Sequence, residues 1–68
     1  MSPKKKLSVT IRRLRERQDL TQAELAKKVK VTQGYISQLE AGTKKELGAK
    51  VALRLAEALN VSVAELLG

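Results

Sequence analysis

TQAELAKKVKVTQGYISQLE, residues 21–40, carries two sets of helix signals separated by only Lys30 and Val31. Thr21 precedes a periodic apolar run, and Glu24 follows three residues later, the pairing that closes a capping box. Leu25, Ala26 and Val29 recur at helical spacing and make one apolar stripe. Thr32 offers a second N-cap. Ile36 and Leu39 form the next stripe, and Gly42 supplies its stop. Two residues between the stripes leave room for a sharp corner and nothing longer. Ala26 is small enough to let the two elements approach. The spacing predicts short helices over about 21–29 and 33–41, packed across a tight turn.

The same signals continue on both sides. Leu7, Ile11 and Leu14 are spaced as one buried face. They predict a helix over 7–18, with Arg12, Arg13, Arg15 and Arg17 on its other sides. Ala49, Ala52, Leu55, Ala56 and Leu59 predict a fourth helix over about 48–59, with Asn60 as a left-handed cap. Ser62 and Glu65 form another capping box, opening a fifth helix from Val63 to Leu67. Val51 and Leu53 widen the fourth stripe beyond what a small core needs. With Val61, Val63, Leu66 and Leu67 they serve either a contact with a second copy or edge packing within the monomer. Residues 1–6, MSPKKK, read as a disordered basic arm, and 7–68 as one all-α domain of five helices. The arm either lies along a polyanion or stays solvated. The sequence suggests no linker, no internal repeat, no low-complexity stretch and no ligand-sensing domain.

Composition narrows the function. Sixty-eight residues make one domain with a small core. The chain has no Cys and no His, and Asp19 is its single Asp. It lacks the usual parts of a metal site or an acid–base catalyst, so neither an enzyme nor a cofactor is expected. Its net charge of +7 favours a polyanionic partner. Tyr35 is the single aromatic residue. That argues against single-stranded nucleic acid, which is bound through stacking platforms. No apolar run approaches the roughly 20 residues of a membrane span, and no hydrophobic signal region opens the chain. A cytoplasmic, nucleoid-associated location is expected.

LTQAELAKKV (20–29), VTQGYISQLEAG (31–42) and LRLAEALNVSVAELL (53–67) together resemble the phage repressor and Cro helix-turn-helix family, also called XRE. The likeness spans about residues 7–67. It implies a five-helix lambda-repressor-like domain that binds double-stranded DNA. It also implies that Arg15 pairs with Glu40, tying the first helix to the end of the third. By the same resemblance, Gln22 contacts the DNA backbone and braces the first residue of the recognition helix. The chain departs from the family at Asp19 and Lys30, where Gly is usual. Its loop GTKKELG, residues 42–48, is one residue longer and lacks the usual Pro.

In such a domain the helix over 33–41 enters the major groove. Gln33 and Gln38 each carry the donor–acceptor pair that matches adenine, and Ser37 bonds several bases. Gly34 permits close approach. Tyr35 meets a thymine methyl or a phosphate. Thr43, Lys44 and Lys45 lie where family members clamp phosphates, while Glu46 is expected to point away. Arg12 and Arg13 reach the backbone or stay solvated. The function expected from the resemblance is a small transcriptional regulator, a repressor first, working as a homodimer on a pseudo-palindromic site. Family members also serve as antitoxins paired with a toxin protein and as controllers of restriction–modification operons. A protein-interaction module on the same scaffold is a lesser alternative, because the third helix is polar and amide-rich.

Overall fold

The computed structural model describes residues 7–44 and 46–67. Over them the chain forms five helices and no strand: α1 Leu7–Arg17, α2 Gln22–Val29, α3 Gln33–Ala41, α4 Ala49–Leu59 and α5 Val63–Leu67. The fold class is the expected one. The basic arm at 1–6 and the clamp candidate Lys45 lie outside the described residues.

Four of the helices end in the same way. Asp19, Lys30, Gly42 and Asn60 all adopt the left-handed conformation, with φ of 60°, 63°, 81° and 59°. Each time, the following N–H reaches back to a carbonyl five residues earlier. Leu20 bonds Arg15, Val31 bonds Ala26, Thr43 bonds Gln38 and Val61 bonds Ala56, at 3.1, 3.0, 3.1 and 2.9 Å. The left-handed residue's own N–H closes a second, shorter loop, as from Lys30 to Lys27 at 3.3 Å. These are Schellman caps. Leu20, Val31 and Val61, placed just past the corner, pack on the core and fix the exit direction. Backbone pairing and an apolar anchor thus hold the corner where Asp19 or Lys30 replaces Gly.

The replacement still carries strain. Lys30 is exposed, so removing its side chain loses no packing. Lys30→Gly is expected to raise stability by about 0.5–1 kcal/mol. Relief of left-handed strain should outweigh the entropy that Gly adds to the unfolded chain. A higher urea midpoint at unchanged slope is the expected reading, and a lower midpoint contradicts it.

The N-termini are capped by side chains. Thr21 accepts from the Glu24 N–H at 3.0 Å, and the Glu24 carboxylate accepts from the Thr21 N–H at 2.9 Å, completing the expected box. Hydrogen bonding to the Thr21 backbone N–H, and after it to the Thr21 side chain, holds the Glu24 carboxyl below its ordinary range. A lowered carboxyl stabilises above its unfolded pKa and stops doing so as pH falls through the folded one. The second box is only half formed. Ser62 caps the Glu65 N–H at 3.0 Å, but the Glu65 carboxylate turns to the Ser62 hydroxyl at 3.4 Å.

Two stretches of the chain leave one helix and enter the next in the same way. LAKKVKVTQGYI, residues 25–36, and LAEALNVSVAEL, residues 55–66, carry the same pattern position for position. Leu25 and Ala26 match buried Leu55 and Ala56, and Ile36 matches buried Leu66. Lys30 at φ 63°, ψ 43° matches Asn60 at φ 59°, ψ 44°. Thr32 and Ser62 then cap the next helix.

The core is one cluster drawn from all five helices. Ile11 and Leu14, Leu25 and Val29, Ile36 and Leu39, Leu55 and Leu59, and Leu66 supply its larger side chains. α1 lies across α3 and α5, α4 lies on α2 and α5, and α2 packs on α3. α3 is therefore held from one side by α1 and α2. Its remaining surface stays open. No helix among the described residues is long and apolar enough to cross a membrane.

Candidate nucleic-acid interface

α3 is anchored by two residues and capped at both ends. Ile36 and Leu39 are its buried side chains. Thr32 accepts from the Tyr35 N–H at 3.1 Å at the N-terminus. Gly42 closes the other end with φ 81°. Gln33, Gly34, Ser37, Gln38 and Ala41 are all exposed, so four of the predicted reading residues share the open side of one helix. Two carboxamides, a hydroxyl and a bare backbone position offer donors and acceptors without a fixed charge.

Gly34 is informative because the protein does not need it there. A Cβ added at Gly34 would meet the Thr32 hydroxyl oxygen at 3.9 Å, an ordinary contact. Its backbone is helical. A Gly in a helix costs about 0.5–1 kcal/mol relative to Ala. Neither packing nor conformation accounts for that cost.

Beside the open face an ion pair joins α1 to α3. The Arg15 Nε donates to Glu40 Oε2 at 2.6 Å, and Nη2 donates to Oε1 at 3.0 Å. Arg15 Nη1 also donates to the Leu20 carbonyl at 2.7 Å, which links the pair to the α1–α2 corner. The side chains are 13% and 5% exposed. Hydrogen bonding to Glu40, more than its Coulombic attraction, holds the Arg15 guanidinium still more firmly protonated than usual. This is the pair that the resemblance implied.

Gln22 is placed differently from the expectation. Its Nε2 donates to Glu40 Oε1 at 3.2 Å. It therefore braces the eighth residue of α3, not Gln33 at the start. A carboxylate already fixed by Arg15 is a stronger acceptor than a neutral amide. The α2 N-terminus is also partly occupied, because the Thr21–Glu24 box takes two of its donors. The N–H groups of Gln22 and Ala23, which no preceding turn can satisfy, remain for an outside acceptor.

After α3 the chain folds back. The Gln38 carbonyl accepts from Thr43 N–H at 3.1 Å, from Lys44 N–H at 3.2 Å and from the Thr43 hydroxyl at 3.2 Å. Lys44 thereby returns over α3, with its Nζ 5.1 Å from the centre of the Tyr35 ring. Tyr35 is half-buried and packs against the core, so its ring is less free than a contact residue on the surface. The Lys44–Tyr35 contact went unread in the sequence, since the two residues lie in different elements.

The remaining candidates scatter. Arg12 is exposed and lies 3.7 Å from Glu16, one turn along α1. It shares a shallow depression with Arg15, Gln22, Ser37, Glu40 and Ala41, beside the open face of α3. Arg13 instead lines a groove with Thr10, Leu14, Arg17 and Glu65, between α1 and α5. Glu46 is exposed.

Leu66 corrects the set assigned to a second copy. It is 1% exposed and belongs to the core. It holds the same place four residues after its capping Ser62 that Ile36 holds after Thr32, and both face inward. Val51, Val61 and Val63 are half-buried against the core, while Leu53 and Leu67 are open, at 55% and 58% exposed.

Three comparisons extend this picture. No curated protein matches the chain in sequence. Solved structures do. The clp gene regulator ClgR from Corynebacterium glutamicum is 36% identical with a TM-score of 0.82, over 90% of this chain and 64% of that one. The present chain thus spans under two-thirds of ClgR. The P22 c2 repressor, in complex with a synthetic operator, is 32% identical with a TM-score of 0.86, over 93% and 94% of the two chains. The restriction-modification controller protein C.AhdI from Aeromonas hydrophila is 28% identical with a TM-score of 0.82, over 88% and 89%. The family model described as Helix-turn-helix matches residues 11–66, from the first buried apolar residue of α1 to the buried residue of α5. The chain belongs to the XRE-type helix-turn-helix family.

Proposed function

We propose that the chain is a sequence-specific binder of double-stranded DNA that acts as a small transcriptional regulator, a repressor first. α3 enters the major groove, with Gln33, Ser37 and Gln38 meeting base edges. The N-terminus of α2, with Gln22, and the Thr43–Lys45 segment meet phosphates on either side. Arg12 lies close enough to the same face to join them. The net charge of +7 supplies much of the affinity, which falls steeply with salt. The role involves no chemical step and no cofactor, and it places the protein in the cytoplasm.

Two copies acting on half-sites about one helical turn apart would double a contact area that is small for a single domain. Leu67 and Leu53, with the edges of Val61 and Val63, offer apolar surface for such pairing. The likeness to C.AhdI favours a second reading with the same DNA chemistry, control of a restriction–modification operon. An antitoxin role would add a toxin protein as partner.

The observation that carries the proposal is the open, polar face of α3, with a Gly that the fold itself does not require. Close approach of the helix to a base pair explains that Gly. Gly34→Ala is therefore expected to raise the melting temperature, by about 0.5–1 kcal/mol of stability, yet to weaken operator binding several-fold. Thermal melts and fluorescence anisotropy on one preparation test this. Gain or retention of both properties would remove α3 from the groove.

A further inference from the structure

We propose that Tyr35 is a positioning residue for Lys44: its ring holds the ammonium at the edge of α3, ready for a phosphate, without neutralising its charge. The inference rests on the DNA-binding reading above and assigns Tyr35 a role through another residue, not a contact of its own.

Three observations meet here. The Gln38 carbonyl accepts from Lys44 N–H as well as from Gly42 N–H, Thr43 N–H and Thr43 Oγ, which fixes where the Lys44 backbone lies. The Lys44 Nζ stands 5.1 Å from the ring centre, inside the distance for a cation–π contact. The ring is itself fixed, because Tyr35 packs against the core. Lys44 is half-buried, unlike the exposed Lys27 and Lys28 on α2.

The kind of partner matters. Among the described residues, Arg12 lies beside Glu16 and Arg15 is paired with Glu40, so a carboxylate offsets each charge. No such ion pair holds Lys44 among the described residues. An aromatic face orders an ammonium by its quadrupole and leaves the full positive charge in place. Ordering a lysine in advance also lowers the side-chain entropy lost on binding. A flexible surface lysine has neither advantage.

The test uses an operator recovered by selection and measures affinity against salt for the wild-type chain, Tyr35→Phe, Tyr35→Leu, Lys44→Ala and Tyr35→Leu/Lys44→Ala. Tyr35→Phe keeps the ring and should bind as wild type. Tyr35→Leu should weaken binding roughly two- to five-fold at every sequence alike. Lys44→Ala should weaken it at least as much and flatten the log–log salt slope by about 0.9. The double variant should bind no worse than Lys44→Ala. Equal loss in Tyr35→Phe and Tyr35→Leu would mean that the hydroxyl makes its own contact, and additive losses would mean independent residues; either overturns the proposal.

Should Tyr35→Leu fail to fold, the wild-type chain decides. The Lys44 Cε protons should be shifted upfield of those of Lys27 and Lys28 by the ring current, and coincident shifts overturn the proposal. Failure of the wild-type chain to select any duplex sequence would instead remove the DNA-binding reading and this inference with it.

Discussion

Glu40→Ala should cost about 2–4 kcal/mol of folding stability, somewhat below the roughly 3–5 kcal/mol of a fully buried ion pair, because this one is part-buried. The arrangement is bidentate, with bonds of 2.6 and 3.0 Å, and the two side chains are only 13% and 5% exposed. Removing the carboxylate leaves the Arg15 guanidinium largely out of water with the Leu20 carbonyl as its remaining partner. It also frees Gln22, which donates to the same carboxylate. α1, α2 and the end of α3 lose their common tie. Stability of roughly 0.05–0.15 kcal/mol per residue is ordinary, so a 68-residue domain would lose a large share of what it has. Urea unfolding of Glu40→Ala, Arg15→Ala and the double variant checks this. The double variant should lose much less than the sum of the two. A loss under about 1 kcal/mol would place the pair with exposed ones and remove its structural role.

The second large effect separates two neighbouring leucines. Leu66→Ala should lower stability by about 2–5 kcal/mol, as for other leucines removed from a close-packed interior. Leu67→Ala should change it by no more than about 0.5 kcal/mol, because that side chain is 58% exposed. If α5 also meets a second copy, Leu67→Glu should abolish self-association in sedimentation while the monomer stays folded. The reverse order, with Leu67 governing stability and Leu66 governing association, would contradict the packing of α5.

Most of the fold was legible because local signals and packing agree in this chain. Thr21, Thr32, Gly42 and Asn60 mark ends that the structure keeps, and Ile36 with Leu39 face inward as their spacing requires. Asp19 and Lys30 were legible as left-handed corners only against the family pattern, since neither residue announces that conformation. Leu66 is not separable from Leu67 by the pattern of α5 alone, because a five-residue helix is too short for periodicity to say which of two adjacent leucines turns inward. Comparing residues 55–66 with 25–36 would have settled it, since Leu66 falls on the position of Ile36. The links from Gln22 to Glu40 and from Lys44 to Tyr35 were out of reach for another reason. Each joins residues of different elements, and their meeting depends on how α2 and the loop after α3 lie on α3.

The reading face was legible as a set of exposed polar residues on one side of α3. Which base each residue meets is a property of a complex, and no spacing within the chain encodes it. The most direct test is therefore a selection of bound duplexes from a random pool, repeated with Gln33→Ala and followed by the salt dependence of the recovered sequence. A base-reading α3 should give a palindrome-like consensus with half-sites about one helical turn apart, steep salt dependence, and relaxed preference at one position per half-site in Gln33→Ala. Binding that is basic but unselective, with no consensus and no change in Gln33→Ala, would contradict it and leave α3 as scaffold.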